Sequence, residues 1–336
     1  MEKLILTFQR FAHYEAKGKS PLYEYWCNKI ISHEPLLNLI KNIPISQPKP
    51  NLFFASVQYL SMKNPCLLTA VFEEPEHVDF EKSFQLLVQF CMEHQQALIE
   101  FFQTKLVQTN EVQRASYLYP IFSEIASAVN KPLTLIEIGT SAGLLLNLDY
   151  YHYEIKQNPS IYFGNTNSPL TLQAENLGQP LLKLEKPIIQ TRMGIDLNII
   201  DLEDEEQYQW LNCLIWPELK HRKTNLEIAR QIHQQCPKKL LAGDFREILP
   251  NVLKNEMYKE SQIVIFHTHV ANQFSIQLKE DLMQLLNQIS TKQSIYHVYN
   301  NMYDANLHVD LIENRIITSI RTLKNIDGHG NYFYWE

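Results

Sequence analysis

Leu135-Ile-Glu-Ile-Gly-Thr-Ser-Ala-Gly143 is the stretch on which the fold turns. Leu133, Leu135, Ile136 and Ile138 make the stretch from Leu133 to Ile138 mainly aliphatic, and two glycines then stand four positions apart around Ser141. A short apolar run closed by glycine reads as a buried strand ending in a tight loop. The spacing predicts that the loop opens directly into a helix starting near Ala142. Backbone N–H groups and a helix N-terminus would then face a ligand, with a carboxylate or other anion favoured there.

Outward from this stretch the two directions differ. Upstream, apolar residues from Leu4 to about Leu106 recur at helical spacing, as in Phe84, Leu87, Val88 and Cys91. Proline breaks at Ile43–Pro50 and Glu73–Glu76 cut this region into segments, and a further helix from about Asn110 to Val129 stops at Asn130-Lys-Pro132. Downstream, β-rich runs alternate with helical ones, the pattern of a parallel sheet with crossover helices. Strands are expected near Ile188–Ile195, Lys239–Ala242, Gln262–Phe266 and Ser294–Tyr299, with a helical region from Glu205 to Gln235. Ile263-Val-Ile-Phe266 is apolar throughout, as a central strand covered on both faces would be. Tyr150 to Pro187 reads as an insertion containing a small hairpin. The tail alternates over Leu307–Ile312 and Ile316–Ile326, turns at Asp327-Gly-His-Gly330 and continues into Asn331–Trp335, an antiparallel meander closing the sheet. The expected organisation is an all-helical N-terminal cap region over residues 1–108, then an α/β, Rossmann-like domain with a mainly parallel sheet over 109–336.

With 45% hydrophobic and 20% charged residues and only 9 glycines, the 336-residue chain is neither disordered nor collagenous. A net charge of -7 gives no footprint for neutralising a nucleic-acid backbone. The N-terminus lacks signal-peptide flanks and no apolar run reaches membrane-spanning length, so the expected location is cytoplasmic. Five cysteines, scattered and without a Cys-x-x-Cys pair, read as reduced, mostly buried thiols.

In open α/β sheets ligands bind beyond the carboxyl ends of the strands, so the residue after each strand carries the chemistry. Gly139, Ser141 and Gly143 follow the first. Asp196, in Gly194-Ile-Asp-Leu-Asn198, follows the second, where an acid accepts hydrogen bonds from both hydroxyls of a ribose. Asp244 and Phe245 follow the third, an acid for an adenine amino group and a ring to pack on the base. His267 and His269 follow the fourth and are the candidate catalytic residues. On an extended backbone they would face the same way, without a third ligand nearby for a metal. Tyr299, with Asn300 and Asn301, ends the fifth strand as a candidate substrate contact. Asn110, Glu111 and Arg114, at the start of the preceding helix, either pair at the surface or line the cofactor mouth. The acidic run Asp201 to Glu206 reads as a helix cap, and Tyr208, Trp210 and Trp216 as core.

This order of motifs resembles the class I S-adenosylmethionine-dependent methyltransferases. The resemblance implies a methyltransferase fold, S-adenosylmethionine as cofactor and a methyl acceptor as substrate. Glu137 matches the acid two positions before their first glycine. Two departures stand out: Ser141 replaces the middle glycine, and Asp196 lies 57 positions after Gly139 rather than the roughly 20 of a compact dinucleotide unit. Nicotinamide dinucleotide fits less well, because the middle glycine that admits its pyrophosphate is missing. Nearly the whole chain also resembles a bacterial family classed only as a domain of unknown function. That resemblance rests on Ser20-Pro-Leu-Tyr-Glu24, Gln108-Thr-Asn-Glu-Val112 with Arg114, Trp216-Pro-Glu218 and Phe266-His-Thr268.

Gly139-Thr-Ser-Ala-Gly143 equally fits the Gly-x-Ser-x-Gly elbow of serine hydrolases, with Asp304 or Asp310 and His329 completing a triad in chain order. Against it, the upstream strands and oxyanion loop of such enzymes are missing. A third possibility keeps the fold as a non-catalytic binding module.

Overall fold

The computed structural model describes residues 1–108, 110–181, 184–254 and 260–336. Thr109 of the Gln108–Val112 motif and residues 182 and 183 of the insertion lie outside the described residues. The chain divides into a helical unit, Met1–Thr109 with Leu202–Leu226, and a sheet unit, Asn110–Asp201 with Glu227–Glu336.

The helical unit holds α1 (Glu2–Arg10), α2 (Pro21–Ile30), α3 (Glu34–Ile40), α4 (Lys49–Lys63), α5 (Leu67–Glu73), α6 (Phe80–Glu93) and α7 (Gln95–Thr104). Both proline breaks fall between helices as expected. Pro50 lies in the first turn of α4, where a missing N–H leaves no intrahelical bond unmade, and Pro75 opens a 3-10 turn after α5. From Leu52 to Ser61 every residue of α4 is buried, so it is the axial helix of this unit. Phe54 stacks on Tyr23 with ring centroids 4.1 Å apart.

The sequence assigns Leu202–Leu226 to a crossover of the sheet, but in the structure this segment belongs to the helical unit. Pairings over long chain separations cause this. α9 (Glu205–Cys213) puts Trp210 edge-on to Tyr59, with its indole N–H donating to the Leu106 carbonyl at 2.9 Å. Glu218 accepts from the Ser20 hydroxyl at 2.8 Å and the Leu22 amide at 3.0 Å. Asp204 is the N-cap of α9, so part of the acidic run is a cap as expected.

In the sheet unit, α8 (Ala115–Val129) ends at Asn130, the start of the expected stop, where the structure shows a left-handed φ of 50°. The strands of the large sheet are β1 (Leu133–Ile138), β5 (Ile189–Asp196), β6 (Lys239–Ala242), β7 (Gln262–His267), β8 (Ile295–Tyr299), β9 (Leu307–Glu313) and β10 (Ile316–Leu323). Their order is β10-β9-β8-β7-β1-β5-β6. The five from β8 to β6 are parallel, while β9 is antiparallel to both of its neighbours. All six residues of β1 and of β7 are buried, because each strand is flanked on both edges and covered on both faces. One face packs on α11 (Phe245–Val252) and α12 (Ile276–Ile289) through Leu249, Leu282 and Leu286.

The insertion forms a sheet of its own. β2 (His152–Lys156) and β3 (Ile161–Gly164) make the expected hairpin, β4 (Thr171–Asn176) adds in parallel to β2, and the order is β11-β4-β2-β3. Its last member, β11 (Tyr332–Phe333), comes from the chain terminus. The tail therefore does not close the large sheet as a meander beyond β10. After Asp327–Gly330 the backbone crosses to β4, where Gly178 has no side chain to obstruct the Trp335 backbone. No described helix is long and apolar enough to cross a membrane. Of the five free cysteines only Cys66 is exposed.

Candidate functional site

The loop after β1 turns through three left-handed residues, Gly139 (φ 74°), Ser141 (φ 52°) and Gly143 (φ 73°). Ser141 adopts this conformation despite its Cβ, which is uncommon outside glycine. The expected helix at Ala142 does not form: only a 3-10 segment, Leu145–Tyr150, follows, so the site has no helix dipole. The glycines serve close packing within the chain. A Cβ on Gly139 would run into the Val270 side chain, and one on Gly143 would come 2.8 Å from Leu240 Cδ2.

β5 lies directly beside β1, with Ile138 opposite Ile195. The 57-position separation thus has no spatial consequence, since the insertion folds away as a separate sheet. Asp196, at the carboxyl end of β5, accepts the Ser141 amide on Oδ2 at 2.8 Å and the Asn198 amide on Oδ1 at 3.1 Å. At the end of β6, Asp244 is the N-cap of α11, accepting the Arg246 amide at 2.8 Å. Its carboxylate also forms a two-pronged pair with the Arg246 guanidinium, 2.6 Å at the shorter contact, and Arg246 continues to Asp281 at 3.0 Å. Phe245 is a core residue, buried near Phe274 with centroids 5.8 Å apart.

The two histidines expected to share a face do not. His269 has φ 57°, which breaks the extended backbone and turns its side chain away from that of His267. His267 is fully buried, its Nε2 3.1 Å from His297 Nε2, and burial pushes its pKa down to about 3. The ring packs within the sheet against His297, Tyr299 and Phe274. Tyr299 is buried too; it stacks on His297 and donates to Asp310 at 2.8 Å. His269 lies at the edge of the sheet beside Asn300, with Nε2 3.1 Å from the Asn300 amide nitrogen. Burial first, then the positive fields of Arg114 and His329, lower its pKa to about 3.

Asn110, Glu111 and Arg114 join this edge. The Asn110 amide reaches the Thr140 carbonyl at 3.4 Å. Arg114 donates from Nε to the Gly328 carbonyl at 2.9 Å and from Nη1 to the Thr268 carbonyl at 3.5 Å, which ties the tail turn to the loop after β7. Gly330 packs so closely on the Gln113 carbonyl that no Cβ would fit. The turn so held presents His329 Nδ1 to Glu111 Oε2 at 3.4 Å, with the carboxylate 5% and the imidazole 41% exposed. Glu137, on β1, accepts from the Thr140 hydroxyl at 2.7 Å. Burial drives its pKa up to about 8, and the Asp196 charge adds to this, against the Thr140 hydrogen bond and the Arg114 charge.

A family of uncharacterized proteins conserved in bacteria, DUF2332, matches residues 6–335. The chain belongs to this family. Among curated proteins, none matches it.

The residues of the serine triad have other partners in this DUF2332 chain. Asp304 binds His308 at 2.8 Å, Asp310 takes the Tyr299 hydroxyl, and His329 faces Glu111. Ser141 Oγ is buried with no hydrogen-bond partner among the described residues. No group of three or more metal-ligating side chains occurs among the described residues. The Glu111–His329 pair was the feature least visible in the sequence. Its one local signal is the Asp327-Gly-His-Gly330 turn, which frames a histidine with glycines.

Proposed function

We propose that the chain binds S-adenosylmethionine at the carboxyl edge of its large sheet and acts as a methyltransferase on a protic acceptor. The observation that carries this is Asp196: an acid at the end of the strand next to β1, hydrogen-bonded to the glycine loop itself. The strand order β6-β5-β1-β7-β8 supports it. Counting only these strands in chain order, it reads 3-2-1-4-5, a doubly wound, Rossmann-like order that reverses direction beside β1.

The residues suit the ribose half of such a ligand. Each Asp196 oxygen accepts one amide and retains capacity for a hydroxyl donor, and the unpartnered Ser141 hydroxyl lies next to that amide. They suit the adenine half less, because Arg246 already engages the Asp244 carboxylate. When bound, the cofactor supplies an electrophilic methyl group on a sulfonium. The chain supplies orientation and a base. His329 is better placed for the second task than His267, since its ring is 41% exposed with Nδ1 3.4 Å from Glu111 Oε2, whereas His267 is fully buried. Calorimetric titration with S-adenosylmethionine tests the proposal. Asp196→Asn should weaken binding at least tenfold, and equal affinity in the two proteins would remove the reason for it.

A further inference from the structure

Arg114 is 9% exposed, yet among the described residues it has no carboxylate within ion-pairing distance. Its acceptors are the Gly328 and Thr268 carbonyls, which account for two of five guanidinium donors and leave Nη2 with no acceptor among the described residues. The acids whose charges reach this cluster are engaged elsewhere. Glu111 accepts the Gln113 amide at 3.3 Å and faces His329, and Asp327 accepts the Asn331 amide at 3.0 Å and its side chain at 2.7 Å. Glu137 is held protonated near neutral pH, and His269 is held uncharged. Nη2 keeps contact with solvent, so its donors are open to a ligand while the rest of the side chain is buried, and charges so largely buried in proteins are generally paired.

We infer that Arg114 is an anion-binding residue that takes the carboxylate of a small organic acid through its Nη donors, with His269 and Asn300 beside it. The planar guanidinium fork matches a carboxylate in bidentate geometry. One cation with Glu111 and Asp327 nearby favours a singly charged group over a phosphate dianion. The site does not need the cofactor, and only the identification of this acid as the methyl acceptor rests on the function proposed above.

The test is made on the cofactor-free chain, so that its failure is separable from failure of cofactor binding. Formate, acetate, propionate and benzoate are titrated against the wild type at constant ionic strength, with chloride and inorganic phosphate as comparison arms. Thermal unfolding and the Arg114 Nε–H signal in a nitrogen-15 spectrum are followed together. Saturable stabilisation by the monocarboxylates, with a shift of the Arg114 signal, is expected. Arg114→Gln should lower the apparent affinity at least tenfold, and Arg114→Lys should keep a weaker response. Carboxylates acting no differently from chloride, or an unmoved Arg114 signal in the wild type, would overturn the inference even if Arg114→Gln fails to fold. Tighter binding of phosphate would overturn the choice of a carboxylate.

Discussion

Replacing Gly139 by alanine probes whether this glycine serves the chain's own packing. Its φ of 74° costs an alanine about 1–2 kcal/mol, because the left-handed region brings Cβ against the following carbonyl. The new methyl also meets the Val270 side chain, and such overpacking costs about 1–3 kcal/mol. The sum, about 2–5 kcal/mol, is a large part of the roughly 5–15 kcal/mol that stabilises an ordinary domain. Val270 is half-buried, so Val270→Ala alone should cost about 1 kcal/mol. In the double variant the clashes with the two Val270 methyls disappear, leaving the backbone part and a 3.1 Å approach to the Cβ at position 270. Urea unfolding of the four proteins should therefore show a favourable coupling of about 1–3 kcal/mol between the two sites. Strictly additive costs would refute the claim that Gly139 is required by Val270.

The buried acid Glu137 gives a second test. Its pKa of about 8 lies above its ordinary 4.5, so the neutral form belongs to the fold and ionisation favours unfolding. Stability should fall by about 1.4 kcal/mol per pH unit as pH rises from about 4.5 towards 8, and Glu137→Gln should flatten that slope in denaturant titrations. An unchanged slope in the variant would contradict the assigned burial. Asp244→Ala removes the N-cap of α11 and should destabilise the sheet unit by about 1–2 kcal/mol. Because Arg246 already engages that carboxylate, affinity for S-adenosylmethionine should change less than threefold, and a larger loss in calorimetry would return Asp244 to the adenine site. A fluorophosphonate probe should leave Ser141 unlabelled, since its hydroxyl has no base within hydrogen-bonding distance among the described residues. Labelling that disappears in Ser141→Ala would reinstate the hydrolase.

Local chemistry made much of the large sheet legible. The apolar runs of β1 and β7 and the helix stop at Asn130 each depend on neighbours in sequence. What escaped depends on distant partners. Trp210 and Glu218 belong with α2 and α4 because of contacts made more than 100 positions away, which no periodicity around them announces. The terminal strand left the large sheet because its hydrogen-bond partners, β4 and its flanking loop, lie within the insertion. The candidate site divides the same way. The place of Asp196 at the end of the strand beside β1 was legible from its position in the sequence. The expected shared facing of His267 and His269 does not occur, because the left-handed φ of His269, a non-glycine residue, is invisible in sequence and reverses the facing of side chains. Glu111 and His329, 218 positions apart, meet only through the tail turn that Arg114 and Gly330 secure.

The central claim is that Asp196 and the glycine loop form the nucleoside end of a cofactor site. The most direct measurement is a crystal structure of the protein grown with millimolar S-adenosylhomocysteine. The predicted result is ligand density along Gly139–Gly143 with both ribose hydroxyls within hydrogen-bonding distance of the Asp196 carboxylate. Crystals without ligand, or a ligand ordered elsewhere while Asp196 keeps only its Ser141 and Asn198 amides, would contradict it.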